Sequence, residues 1–162
     1  MSSDKSITSS PVHTDPAISS FLATSASGRI CLFGEHQDYL GLPVIAAAIS
    51  RRISISGDFI DDSLVVIHLP DINRKETFEL QTEIPYTSPR DYFKSAINVL
   101  TRDGYRFSKG LEVTVHGNIP INSGTSSSSA LLVAWINWLT RMADNPSKRT
   151  RTEIGELAHK AE

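Results

Sequence analysis

One cysteine in 162 residues, Cys31, leaves no partner for an internal disulfide. A chain of this kind suits a reducing compartment and is expected in the cytoplasm. No apolar run approaches the roughly 18–20 residues needed to cross a bilayer, so no membrane partner is expected. The Ser-rich start, Met1 to Ser20, has no apolar core of the kind a signal peptide needs. Its composition predicts a disordered tail over residues 1–19, with order beginning near Phe21. Charge of one sign is also lacking. The formal net charge is −2, and no concentrated basic stretch offers a footprint for nucleic acid. Aromatics are sparse at 7%, yet both tryptophans fall inside one segment.

What remains is an ordinary soluble composition, 40% hydrophobic and 21% charged, in a chain long enough for one domain with a core. Phe21 to Phe33 carries β-type stretches broken at Ser27-Gly28. Val44 to Ile49 and Ile53 to Ser56 read as two further strands. Leu64 to Leu69 is another, ended by Pro70-Asp71, and Thr77 to Leu80 a shorter one. Asp61-Asp62 suits a hairpin turn between neighbouring strands. Ser88-Pro89-Arg90-Asp91 reads as a helix start, with Ser88 as cap and Pro89 in the first turn. Tyr92, Phe93, Ala96, Ile97 and Leu100 then share one face, and Gly104 stops the helix. Leu111, Val113 and Val115 alternate as a strand. Ser126 to Met142 is apolar nearly all round and belongs in a core. Thr150 and Glu153 form a capping box for a last helix with Ile154, Leu157, Ala158 and Ala161 on one face. The pattern is α+β.

Two constellations carry chemistry. In the first, the strand ending Ile30-Cys31-Leu32-Phe33 breaks at Gly34 into Glu35, His36 and Asp38. Two carboxylates and an imidazole within four residues suit a polyol, since both can bond hydroxyls. An acidic surface turn has the same composition. In the second, Pro120 to Ser129 joins a strand to the long apolar helix. Unpaired N–H groups at that helix start form an anion site. Gly124 permits close approach, and the hydroxyls of Thr125, Ser126, Ser127, Ser128 and Ser129 add donors and an oxygen ligand for Mg2+. A Ser-rich linker is the plain alternative, and the buried helix directly behind Ser129 speaks against it. The Walker A ending G-K-[ST] is absent.

Together these strings resemble the GHMP kinase superfamily, and within it the galactokinases. Gly28-Arg29 and Gly34-Glu35-His36, followed by Asp38-Tyr39, are similar to the galactokinase signature. Ser27, Cys31 and Gln37 depart from it. Gly124 and the serines after it are similar to the GHMP phosphate loop. The resemblance covers about residues 20–162. It implies the GHMP kinase N-terminal domain, a ribosomal S5 domain 2-like fold with a mixed sheet packed with helices and a left-handed β-α-β connection. It implies ATP and Mg2+ as cofactors and transfer of the γ-phosphoryl group to a sugar hydroxyl, the anomeric one in galactokinases. Glu35, His36 and Asp38 would bind the sugar, and Arg29 would stabilise the transferred group. Residues 124–129 would bind ATP, with Ser128 and Glu162 on the metal.

The family's base, an Asp in a G-x-x-D-Q segment just after the glutamate that Glu162 matches, is not within these residues, nor is a C-terminal domain. The 162 residues alone are therefore expected to be inactive as a kinase. Other readings remain: a different acceptor such as mevalonate or a uronic acid, a non-catalytic sensor of sugar and ATP, or an RNA-binding module. Asp38 favours a sugar, since mevalonate kinases lack the x-Asp-Tyr. The scattered His13, His68, His116 and His159 lack metal-ligand spacing. Cys31, inside an apolar strand, is expected to be a small buried hydrophobe.

Overall fold

The computed structural model describes residues 20–34, 40–120 and 124–162. The expected tail over residues 1–19 lies outside them.

Among the described residues, five strands and three α-helices follow one another as β1 (Leu22–Phe33), β2 (Ile45–Ile60), β3 (Leu64–Leu69), β4 (Arg74–Glu79), α1 (Tyr92–Arg102), β5 (Gly110–Gly117), α2 (Ser127–Met142) and α3 (Arg151–Ala161). They build one sheet in the order β1-β2-β5-β3-β4. Only β3 and β5 pair in parallel; the other pairs are antiparallel, so the sheet is mixed. Alternation decides its two faces. Ile53, Ile55, Leu111, Val113 and Val115 are buried, while Ser54, Glu112 and His116 between them are exposed. A sheet with one apolar face is covered by helices on that face.

The cover is centred on α2. Trp135, Ile136, Trp138 and Leu139 are completely buried. The two indoles stack with centroids 5.4 Å apart, and Phe93 of α1 meets Trp135 edge-on at 5.8 Å. A buried indole must place its N–H. Trp138 donates to the Leu22 carbonyl at 3.0 Å, and Trp135 to the Phe93 carbonyl at 3.2 Å. Thr24 Oγ1 donates to the Ala134 carbonyl at 2.8 Å. These bonds fix α2 to β1 and α1 at a set height along its axis.

Several expectations need correction. The two strands read over 44–49 and 53–56 are one strand, β2; Arg51 and Arg52 lie on it, because their side chains reach across to Asn118 and Ser25. Asp61-Asp62 does not join paired neighbours. β5 lies between β2 and β3, and the Asp62 carbonyl accepts from Gly110 N, where β5 begins. Helix α1 starts after Asp91, not at Ser88, because Arg90 takes a left-handed conformation (φ 62°) that no helix continues. The Asp91 carboxylate turns back to Thr87 N and forward to Lys94 Nζ at 2.9 Å instead of capping the helix. Cys31 is only half-buried, since the β1–β2 arm runs past the helices and leaves Leu32, Phe33 and Ile45 exposed. The capping box of α3 forms as the sequence predicts, with Thr150 N donating to Glu153 at 2.8 Å.

Replacing Trp138 by Phe keeps an aromatic ring and removes the donor to Leu22. Urea unfolding should show a loss of about 1–3 kcal/mol from the lost indole bond and lost contact. A change under half that would mean that the indole bond does not hold α2.

Candidate functional site

The strand-to-helix connection after β5 is held from three sides. Asn118 is tied to β2: its side-chain oxygen accepts from Arg52 N at 2.7 Å, and its carbonyl from Arg51 Nη1 at 2.9 Å. Gly117 N donates to Asp71 Oδ2 at 2.7 Å, and His116 Nδ1 lies 3.1 Å from Asp71 Oδ1. The Gly117 N–H, then His116, hold the Asp71 carboxyl below its ordinary value. On the third side Arg29 N donates to the Thr125 carbonyl at 3.2 Å. That approach depends on Gly28, where the β1 register shifts: a Cβ there would sit 2.9 Å from the Thr125 carbonyl oxygen.

Beyond Thr125 the chain turns sharply. Gly124 and Ser126 both have positive φ, 70° and 55°. Ser126 precedes the first turn of α2 and makes no side-chain cap bond, so the first N–H groups of the helix are not consumed by a local side chain. Ser127, Ser128 and Ser129 then open α2 at half-exposed positions.

The carboxylate of Glu162 lies against these serines. Ser128 Oγ donates to it at 2.6 Å, and Ser129 Oγ at 3.0 and 3.2 Å. Glu162 is placed from behind: Ser95 of α1 donates to the Ala161 carbonyl at 2.8 Å, and Glu162 N closes the last turn onto Ala158. A hydroxyl and a carboxylate converging at the positive end of a helix are hard oxygen donors of the kind Mg2+ takes. The sequence-expected residues 124–129 and Glu162 are thus brought together, and Arg29 stands beside them through its backbone. Glu35, His36 and Asp38 lie outside the described residues; Gly34 and Leu40 on either side belong to the connection between β1 and β2.

Ser127 and Ser128 also line a cleft of about 420 Å3. Leu69, Ile72, Tyr92, Ile119 and Leu131 give it an apolar wall, and Asp71, Glu76 and Arg90 give it charge. Sequence reading did not assign these residues to a site. The one signal that could have found Arg90 is its place in Ser88-Pro89-Arg90-Asp91, a turn directly before a helix.

Comparison with known proteins decides the family. Residues 91–162 match the family described as GHMP kinases N terminal domain, and residues 14–58 match the galactokinase galactose-binding signature. This chain carries a GHMP kinase N-terminal domain. Its relatives include a galactokinase of Haemophilus influenzae (strain PittEE), 32% identical over 139 residues, covering 85% of this chain and 36% of the relative. They also include a mevalonate kinase of Thermococcus gammatolerans, 31% identical over 147 residues, covering 85% of this chain and 43% of the relative. This GHMP kinase domain therefore spans well under half the length of the relatives it matches. Among solved structures it superposes on Lactococcus lactis galactokinase complexed with galactose, with TM-score 0.73 and 28% identity, covering 88% of this chain and 37% of that one. It superposes on Methanococcus jannaschii mevalonate kinase with TM-score 0.77 and 20% identity, covering 90% and 47%; at that identity the likeness is one of fold.

Gly28→Ala tests the contact between β1 and the connection. The Cβ meets backbone, which cannot swing aside, so about 1–3 kcal/mol of stability should be lost. Thermal unfolding with a melting temperature equal to that of the unaltered domain would show that the connection yields freely.

Proposed function

We propose that this domain is the nucleotide- and acceptor-binding part of an ATP-dependent GHMP kinase that transfers the γ-phosphoryl group to a sugar hydroxyl, the anomeric one. The observation that carries the reading is the meeting of Ser128 and Ser129 with the Glu162 carboxylate at the start of α2, whose Ser127 and Ser128 line the cleft. The apolar wall suits the base and ribose of ATP, and the first N–H groups of α2 suit its phosphates. Ser128 and Glu162 would hold Mg2+, which supplies a positive charge that neutralises the phosphate oxygens.

Phosphoryl transfer asks a protein chiefly for positioning and charge stabilisation. The backbone of Arg29 is bonded to Thr125, so its guanidinium starts from the edge of the phosphate loop, where it can spread the charge of the group in transit. Glu35, His36 and Asp38 follow Arg29 closely in the sequence and would accept from and donate to the sugar hydroxyls. Residues 20–162 would then be one of two domains, with the acceptor-orienting carboxylate supplied from outside them.

A second reading has a specific observation behind it. Mevalonate kinases match this chain over the same share of its length as galactokinases do, at 31% against 32% identity. The acceptor would then be mevalonate-like and the phosphate end unchanged.

Calorimetric titration of the 162-residue chain with MgATP, galactose and mevalonate separates these readings. Galactose binding should be lost in Asp38→Ala while MgATP binding persists. In Glu162→Gln the gain in ATP affinity from Mg2+ should fall about tenfold or more, as for loss of a charged contact. Mevalonate binding without galactose binding would move the proposal to the second acceptor. Failure to bind any nucleotide would overturn it.

A further inference from the structure

Arg90 is the residue that the fold alone does not account for. It holds φ at 62°, a region that costs a side chain bearing a Cβ. Asparagine or glycine would make the same turn with less strain, and strain of this kind collects where a side chain has work to do. The turn is well held: Tyr92 N donates to the Arg90 carbonyl at 2.9 Å, and Asp91 is locked to Thr87 and Lys94. Arg90 is thus presented on a rigid support at the start of α1, and it lines the same cleft as Ser127 and Ser128.

Its charge is uncompensated. Three carboxylates line that cleft, and each has a partner of its own. Asp71 takes Gly117 N and His116, Asp91 takes Lys94 and Thr87, and Glu76 lies 3.7 Å from Arg74. Among the described residues Arg90 has no ion pair and no side-chain hydrogen bond. A guanidinium offers five donors in a fixed fork that matches phosphate oxygens. The same cleft is lined by Ser127 and Ser128 of the α2 N-terminus, the other group here suited to phosphate.

We propose that Arg90 is a nucleotide-contact residue that grips the polyphosphate of the bound nucleotide from the α1 side, in the cleft it shares with the α2 N-terminus. The inference rests on the nucleotide reading of the cleft given above. It makes the strain purposeful: the left-handed turn keeps Arg90 at the cleft, where a helical residue at position 90 would extend α1 instead. The ligand class is a nucleoside di- or triphosphate, and the part recognised is the phosphate chain rather than the base.

The test is a titration of the unaltered chain, Arg90→Gly, Arg90→Asn and Arg90→Lys with ATP and with adenosine, alongside thermal unfolding of each. Gly and Asn tolerate the positive φ, so both variants should melt at or above the temperature of the unaltered chain. Both should bind ATP at least about tenfold more weakly and adenosine within about twofold of the unaltered chain. Lysine, keeping the charge without the fork, should recover part of the ATP affinity. ATP affinity within about twofold in the Gly and Asn variants overturns the inference alone, as does an adenosine loss equal to the ATP loss. No binding of ATP by the unaltered chain overturns the nucleotide reading and this inference with it.

Discussion

Burial of α2 is the constraint on which the other contacts depend. Its run from Ala130 to Met142 has almost no polar side, so it is stable only when covered by the sheet below and by α1 and α3 around it. The indole N–H groups and Thr24 then remove its freedom to slide, because a shift by one residue would leave buried donors and acceptors unpaired. A helix fixed along its axis has a fixed first turn. Ser127, Ser128 and Ser129 are therefore placed by contacts one to three helical turns away, in the dry core, and not by the exposed connection that precedes them.

The same logic explains how the other partners arrive. Glu162 reaches the serines because α3 packs on α1 and α2, with Ser95 holding its last carbonyls. Arg29 reaches Thr125 because Gly28 lets β1 touch the connection. Asp71 reaches Gly117 because β3 and β5 are parallel neighbours, so that the chain leaves both at the same edge of the sheet. Three sequence-distant stretches converge on one strand-to-helix joint, two of them through a backbone N–H and Glu162 through its carboxylate, each by a bond whose geometry tolerates little change.

Which parts were legible in the sequence follows from range. The capping box at Thr150, the strand ended by Pro70 and the apolar face of α1 are local patterns, and each element formed where its pattern lay. The Ser-rich start of α2 is legible for the same reason, since a helix start is built by consecutive residues. The start of α1 was misplaced because Ser88-Pro89 has cap chemistry, yet the left-handed Arg90 comes between it and the helix. The merged β2 and the insertion of β5 beside it were illegible because strand neighbours are chosen by the whole sheet. The cleft was illegible for a stronger reason. Leu69, Asp71, Arg90 and Ser128 meet only once β3, α1, β5 and α2 are all in place, and no spacing in the sequence records that meeting.

On the proposed function, the near-equal likeness to galactokinases and mevalonate kinases would have a physical source in this division. The phosphate end would be made of backbone N–H groups, small hydroxyls and one carboxylate fixed by the core, and none of these would sense what the phosphoryl group is given to. Acceptor choice would fall instead on the stretch between β1 and β2, and Glu35, His36 and Asp38 would be the residues on which the acceptor turns. The chain on either side of that stretch bears Leu32, Phe33, Leu42 and Ile45 exposed. A division between a phosphate grip fixed by the core and an acceptor set carried elsewhere would hold one chemistry constant while the acceptor varies.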